Sequence, residues 1–378
     1  MSQSAADILV IGAGPAGLAV SACLRKEGVA HTVLEREQRI APSWHRHYDR
    51  LHLHTVKQYS TLPYSRWPIG TPKYPSRQQF VDYLAAYAAQ HDIRPQFGVE
   101  VRSVEKRDEG FAVYTNTDVL TPTAVVIASG YNNTPFIPDL PGLDRFGGTV
   151  IHSSAYRNPA PFVGKRTLVV GCGNSGAEIA LDLAEHDCEV SMVVRGPVHV
   201  VPRDLLGRPT QSTNIALSHL PLALRDALAG LMLRLVMGDL SRWGIVRPKL
   251  GPNTMIERFG RVPILDIGTI AMIKRGKIKV MPGVAQVMPH AIMFADQKET
   301  AFDALIFATG FQTGLQKLIK GFDEISDETG RPHRFGAETS IAGLYLVGFR
   351  NSPSGALREI GIEARRVATT IRLHNAVI

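Results

Sequence analysis

The chain carries one local pattern twice, and that repetition limits the folds open to it. Ile8-Leu9-Val10-Ile11 is a continuous apolar run followed by Gly12-Ala-Gly14-Pro15-Ala16-Gly17, a helical stretch over residues 18–26 and a second strand-like run at His31-Thr-Val-Leu-Glu35. The same order returns at Thr167-Leu-Val-Val170, Gly171-Cys-Gly173-Asn174-Ser175-Gly176, a helical stretch to Ala184 and Cys188-Glu-Val-Ser-Met-Val-Val194. Strand, glycine turn, helix and strand form the βαβ unit of a parallel sheet. In such a turn the first glycine permits the tight bend, the second lets backbone approach a pyrophosphate, and the third allows close helix packing. One G-x-G-x-x-G is weak evidence. Two copies, each after a strand and before a helix, predict an α/β protein with two Rossmann-like dinucleotide-binding units. A length of 378 residues leaves room for both.

The residues closing the second strands separate the two ligands. Glu35 lies roughly 20 residues beyond the first turn, where a carboxylate accepts hydrogen bonds from a ribose diol. A solvated strand-end carboxylate is the plainer alternative. The equivalent place in the second unit holds Arg195, which suits a ribose 2′-phosphate and so NADPH, unless it is simply exposed. A flavin in the first unit and a nicotinamide in the second is the economical assignment, since one donates hydride and the other accepts it. The acceptor beyond the flavin stays open. No Cys-x-x-Cys exists among Cys23, Cys172 and Cys188, which argues against a dithiol relay, a thiolate zinc site and a disulfide framework.

Ala124-Val-Val-Ile-Ala-Ser-Gly130 and Phe302-Asp-Ala-Leu-Ile-Phe-Ala-Thr309-Gly310 are apolar runs ending in small residues, where backbone can come close to a ligand. Ser76-Arg-Gln-Gln79 is a capping box opening a helix to about residue 90, with Phe80, Leu84 and Ala88 on one face. Residues 98–114 alternate like antiparallel strands around Asp108-Glu-Gly110, and residues 139–164 read as a domain crossing. Residues 217–240 are strongly apolar and are expected to form a packed helical hairpin; a lid, dimer surface or shallow membrane contact are the other readings. His45, His47, His52 and His54 cluster around Trp44. A flat cofactor lined by rings is preferred there to a metal site or simple packing, since no familiar ligand spacing completes a metal set.

These strings together resemble the class B flavin-dependent monooxygenases. Phe146-Gly-Gly-Thr-Val-Ile-His152-Ser-Ser-Ala-Tyr156 matches the identifier of the flavin-containing monooxygenases, and residues 302–311 are similar to their later signature. Residues 48–58, 74–80, 194–203, 244–248 and 263–269 most resemble the YUCCA-type enzymes. The resemblance implies FAD, NADPH and molecular oxygen, a C4a-(hydro)peroxyflavin, and a small organic substrate such as the 2-oxo acid indole-3-pyruvate. It implies an FAD-binding domain at 1–155 and 310–378, with an NADPH-binding domain at 156–309 inserted into it and helical around 217–240.

Carried onto this chain, the cofactor set is Gly12, Gly14, Pro15, Ala16, Gly17, Glu35, Arg36, Trp44, Val101, Gly130, Gly171, Gly173, Asn174, Ser175, Gly176, Arg195, Thr309 and Gly310. His54 and Lys57 are the catalytic candidates near the flavin, with a structural ion pair the alternative for Lys57; His152 is expected at the domain crossing. Sulfide- and amine-oxidising relatives carry asparagine three residues before this lysine, where this chain has His54, which weakens an amine-oxygenase role. A sulfide or amine monooxygenase, a Baeyer-Villiger oxygenase and a non-oxygenating NADPH oxidoreductase are the rivals.

A formal charge of +8 fits polyanionic cofactors, and no basic stripe asks for nucleic acid. The apolar stretch at residues 8–20 is broken by glycines and too short to span a bilayer, and the first strand begins near Asp7, so a cytoplasmic protein is expected. A homodimer is left open.

Overall fold

The computed structural model describes residues 7–375. Its frame is an α/β fold with two Rossmann-like parallel sheets of five strands each. The first sheet runs Leu344–Leu346, Ala124–Ile127, Ile8–Ile11, Thr32–Glu35, Gln96–Phe97, with every neighbouring pair parallel. The second runs Thr149–His152, Ala304–Phe307, Arg166–Val170, Glu189–Val193, Ile278–Met281, again all parallel. In both, the strand before the glycine turn is central, flanked by the other two strands that the sequence picks out. Ile8–Ile11 and the 168–170 part of the second central strand are apolar and buried because helices or loops cover both faces of a parallel sheet.

The likeness goes further than the glycine turns. In the first half, three antiparallel strands (Val101–Lys106, Phe111–Thr115, Val119–Leu120) precede Ala124–Ile127. In the second, Val284–Val287, Ala291–Phe294 and Glu299–Ala301 precede Ala304–Phe307. Each small sheet has a register shift in its first strand, at Val101/Ser103 and at Val284/Gln286. The alternation at 98–114 predicts the first pair. The second small sheet is a finding of the structure.

Two connections join the large sheets and lie side by side. Thr134–Pro135 pairs antiparallel with Phe311–Gln312. The buried His152 sits at this crossing, donating from Nε2 to the Gly310 carbonyl at 2.9 Å and packing edge-on to Phe311 with ring centroids 4.9 Å apart. Burial lowers its pKa, which suits a neutral ring in that role.

The helix Arg77–Gln90 begins with the expected capping box. Gln79 N–H donates to Ser76 Oγ at 3.2 Å, and the Gln79 side chain accepts from Ser76 N–H at 2.9 Å. Phe80, Leu84 and Ala88 are buried on its inner face. At 217–240 the structure replaces the expected hairpin with a single helix, Leu222–Met237. Its partner is the helix Pro252–Phe259. Arg225 pairs with Glu257 at 2.8 Å, and Asp226 accepts from the Asn253 and Thr254 amides at 2.8 and 3.1 Å. Those polar contacts turn one face inward and leave Leu224, Leu231 and Leu235 outward. Among the described residues, no helix is long and apolar enough to cross a membrane.

The last helix, Ala356–Asn375, packs on the first, Pro15–Lys26, through Leu357, Ile360, Ala364, Val367 and Ile371. Burying each of the Leu, Ile and Val side chains contributes roughly 1.5–3 kcal/mol. Within this contact lies a buried carboxyl, Glu363. Its Oε2 accepts from the Gly348 amide at 2.9 Å, while Oε1 has no partner among the described residues. Burial pushes its pKa up to about 7. Between an unfolded value near 4.5 and about 7 the folded chain holds a proton that the unfolded chain has released, so stability falls as pH rises through that window. Glu363→Gln, which keeps an acceptor for Gly348, should melt higher than the parent at pH 8 and flatten the dependence between pH 5 and pH 8. Parallel melting curves for the two proteins would contradict this.

Candidate cofactor and substrate site

The two glycine turns have nearly the same backbone. Gly12 and Gly171 take φ of +107° and +110°, and a Cβ on either would lie 2.7 or 2.6 Å from the carbonyl oxygen of Ala128 or Ala308. Gly17 and Gly176 press against the turn, where a Cβ would fall 1.8 or 2.0 Å from the Gly12 or Gly171 carbonyl oxygen. The middle glycines differ in kind. At Gly14 (φ −79°, ψ −174°) and Gly173 (φ −78°, ψ −175°) a Cβ would meet nothing within 4 Å. So the outer glycines are required by the protein's own backbone, and the middle ones border open space at a helix start. The amides there lack intrahelical acceptors, and Pro15 at the first helical position of Pro15–Lys26 removes one such donor. This cradle fits the phosphates of a dinucleotide.

Glu35 is buried and tied to the first turn, its Oε2 accepting from Ala13 N–H at 2.9 Å and its Oε1 from Glu37 N–H at 3.0 Å. Both oxygens retain acceptor capacity for a ribose diol. Arg36 donates to Asn133 Oδ1 at 2.8 Å, beside the turn at Gly130. Trp44 is half-buried, edge-on to Phe80 with centroids 4.4 Å apart. Val101 begins the first antiparallel strand and packs on the core below the sheet. Gly130 and Gly310, at φ +77° and +85°, both face open space. The hydroxyl of Thr309 donates to the Phe136 carbonyl at the crossing.

In the second unit, Asn174 is a clamp as well as a helix-start residue. Its Oδ1 accepts from Leu265 N–H at 2.7 Å and its Nδ2 donates to the Pro263 carbonyl at 3.3 Å. Ser175 and Gly176 follow it into the helix Asn174–Ala184. Arg195 is exposed just beyond Glu189–Val193.

The four clustered histidines diverge. His52 Nδ1 bonds the Arg50 carbonyl at 2.7 Å. His47 is held near pKa 4 by burial and by Arg157 and Arg77. His54 reaches across to the second unit, donating from Nε2 to Glu178 Oε2 at 3.2 Å. Tyr48 donates to the same oxygen at 2.6 Å. Glu178 is fully buried on the helix Asn174–Ala184, so this knot fixes the first unit's loop to the second unit's glycine helix. Among the described residues, no group of three or more His, Cys, Asp or Glu is placed to hold a metal ion. Lys57 donates from Nζ to the Thr71 carbonyl and from its amide to the Lys73 carbonyl at 3.0 Å.

His54 also lines a cavity of about 320 Å³. Lys57 is absent from its wall. The wall joins His54 and Thr55 to the segments at 201–205, 262–265 and 351–356 and to the inner side of Leu222–Met237. Most of these residues are apolar. Gln211 braces the wall, accepting from Val56 N–H at 2.9 Å and donating to the Ser354 carbonyl at 2.5 Å. Sequence reasoning missed Tyr48, Glu178, Gln211 and the 351–356 loop. The contacts of Tyr48, Glu178 and Gln211 span more than a hundred residues, and only the strings at 48–58 and 170–179 held any trace of them.

Comparison with known proteins agrees with this geometry. Residues 9–204 match the family described as pyridine nucleotide-disulphide oxidoreductase. The chain is 40% identical over 389 residues to the indole-3-pyruvate monooxygenase YUCCA4 of Oryza sativa subsp. japonica, spanning 97% of this chain and 88% of that one. The chain belongs to the YUCCA family of FAD- and NADPH-dependent monooxygenases. Indole-3-pyruvate monooxygenase YUCCA6 of Arabidopsis thaliana is a second such relative, 39% identical over 377 residues, 96% of this chain and 89% of that one. Solved structures share the fold of this YUCCA-family chain at lower identity. A flavin-containing monooxygenase from Stenotrophomonas maltophilia superposes with a TM-score of 0.73 at 23% identity, over 98% of both chains. A cyclohexanone monooxygenase bound to ε-caprolactone gives 0.76 at 20% identity, over 98% of this chain and 88% of that one.

Proposed function

We propose that the chain is an NADPH-dependent flavin monooxygenase that converts a 2-oxo acid such as indole-3-pyruvate to the corresponding acetic acid. The observation carrying this reading is the apolar cavity between the two glycine-turn units, with His54 in its wall. The overall change consumes 2-oxo acid, O2, NADPH and a proton, and yields the one-carbon-shorter acid, CO2, NADP+ and water. One oxygen atom enters the acid and the other leaves as water.

FAD on the first turn and NADPH on the second supply hydride transfer and oxygen activation when bound. The chain's own residues hold, orient and enclose. Gly12, Gly14 and Gly17 with Pro15 and Ala16 cradle the FAD pyrophosphate, and Glu35 takes its ribose. Arg36, Trp44, Val101 and Gly130 border the same unit. Gly171, Gly173, Asn174, Ser175 and Gly176 do the equivalent for NADPH, Arg195 meets the 2′-phosphate, and Thr309 and Gly310 line the crossing. The first sheet's use of Leu344–Leu346 and the last helix supports an FAD domain made from both chain ends, with the NADPH domain inserted. Thr149–His152 pairs within the second sheet, so we assign it to the NADPH domain and set the first crossing before residue 149.

His54 is the catalytic group proposed at the cavity. Its Nε2–H is engaged by Glu178, which fixes the orientation of the ring at the cavity wall. A cavity walled mostly by apolar side chains limits the water that reaches it, which keeps oxygen chemistry coupled to substrate. For Lys57, its bond to Thr71 favours a role in holding the 55–75 loop.

Two measurements test this. In steady state with indole-3-pyruvate, O2 consumed should match CO2 and indole-3-acetate formed, with little hydrogen peroxide; peroxide equal to O2 consumed would make the chain an oxidase. Arg195→Ala should raise KM for NADPH on the order of tenfold or more, as expected for losing a charge-assisted phosphate contact, while leaving KM for NADH nearly unchanged. Equal effects on both would remove the 2′-phosphate role.

A further inference from the structure

The cavity contains two arginines, and they are in opposite situations. Arg225 is buried and fully engaged, donating to Glu257 Oε1 at 2.8 Å and to Asn253 Oδ1 at 3.2 Å. Arg203 is half-buried, and its side-chain contact to an acceptor is a single one from Nε to Asp204 Oδ2 at 3.4 Å. Asp204 is shared: its Oδ1 accepts from Lys73 Nζ at 2.5 Å and the Tyr74 hydroxyl at 2.8 Å, and only its Oδ2 faces Arg203. Lys73, Arg203 and Asp204 together carry one net positive charge, and of the three Arg203 lines the cavity. The nearby Asp266 carboxylate makes its hydrogen bonds to the Gly268 and Ile270 amides, at 3.3 and 3.0 Å, and none to Arg203 among the described residues.

The guanidinium of Arg203 lies 4.0 Å over the centroid of the Tyr74 ring. In that position over the ring, the two terminal NH2 groups make no hydrogen bond to a carboxylate or carbonyl among the described residues. A planar, pre-oriented fork is the geometry that receives a carboxylate with two parallel hydrogen bonds. Opposite it the cavity is apolar, with Leu205, Leu228, Met232, Ile256 and Leu265 in its wall. A ligand with a flat apolar body and one carboxylate satisfies both halves. Resting on the 2-oxo acid reading above, we propose that Arg203, stacked on Tyr74, is the residue that anchors the substrate carboxylate and selects acids over neutral analogues.

The test is calorimetric titration of the flavin-loaded protein with indole-3-acetate and with the neutral indole-3-acetamide. Arg203→Gln should weaken the acid on the order of 10- to 100-fold, the range for loss of a charge-assisted pair, and leave the amide unchanged. Arg203→Lys keeps the charge without the fork and should lose several-fold for the acid alone. That variant also decides the matter if Arg203→Gln loses its flavin or melts early. Acid affinity unchanged in both variants, or acid and amide weakened equally, would overturn the anchor while leaving the monooxygenase reading intact. Failure of the parent protein to bind either indole would overturn the substrate reading and the anchor with it.

Discussion

The third glycine of each turn meets the carbonyl of the first at a distance that no side chain tolerates. At Gly17 and Gly176 a Cβ would sit about where a bonded atom sits, 1.8 and 2.0 Å from the opposing oxygen. That contact lets the helix start directly over the sheet edge, brings its free amides to the strand ends, and sets the middle glycine facing outward. Everything functional in the molecule is placed relative to these two contacts. Glu35 is fixed by the first turn's Ala13 amide, Asn174 clamps the second turn to the cavity wall, and Glu178, one helical turn further on, receives Tyr48 and His54 from the other unit.

Much of this frame was legible in the sequence because it is local. The glycine turns, the apolar strands around them and the capping box at Ser76 each declare themselves within a few residues. The second antiparallel sheet did not. Its turn at Gln297 uses a left-handed residue other than glycine, where the first small sheet has the readable Gly110. The helix Leu222–Met237 was visible as apolar but not as single, since its inward face is set by Arg225 and Asp226 finding partners on a helix later in the chain.

The site was legible by type more than by contact. His54 could be named from its neighbourhood, yet its buried acceptor lies 124 residues away. Lys57, named beside it, is turned to the Thr71 carbonyl and away from the cavity wall. Arg203 was visible only inside a longer matching string. Its significance comes from how little pairs with it: Asp204 is shared with Lys73 and Tyr74, and sequence spacing cannot report that. The +8 charge, uninformative as a sum, becomes specific in Arg195 and Arg203, one at a strand end and one at a cavity wall.

That the two turns hold two different dinucleotides facing one another is tested most directly by anaerobic titration of the flavin-loaded protein with NADPH. One equivalent of NADPH should bleach the long-wavelength absorption band of the oxidised flavin, at one flavin per chain. A band that persists under excess NADPH, or a protein that retains no flavin, would contradict it.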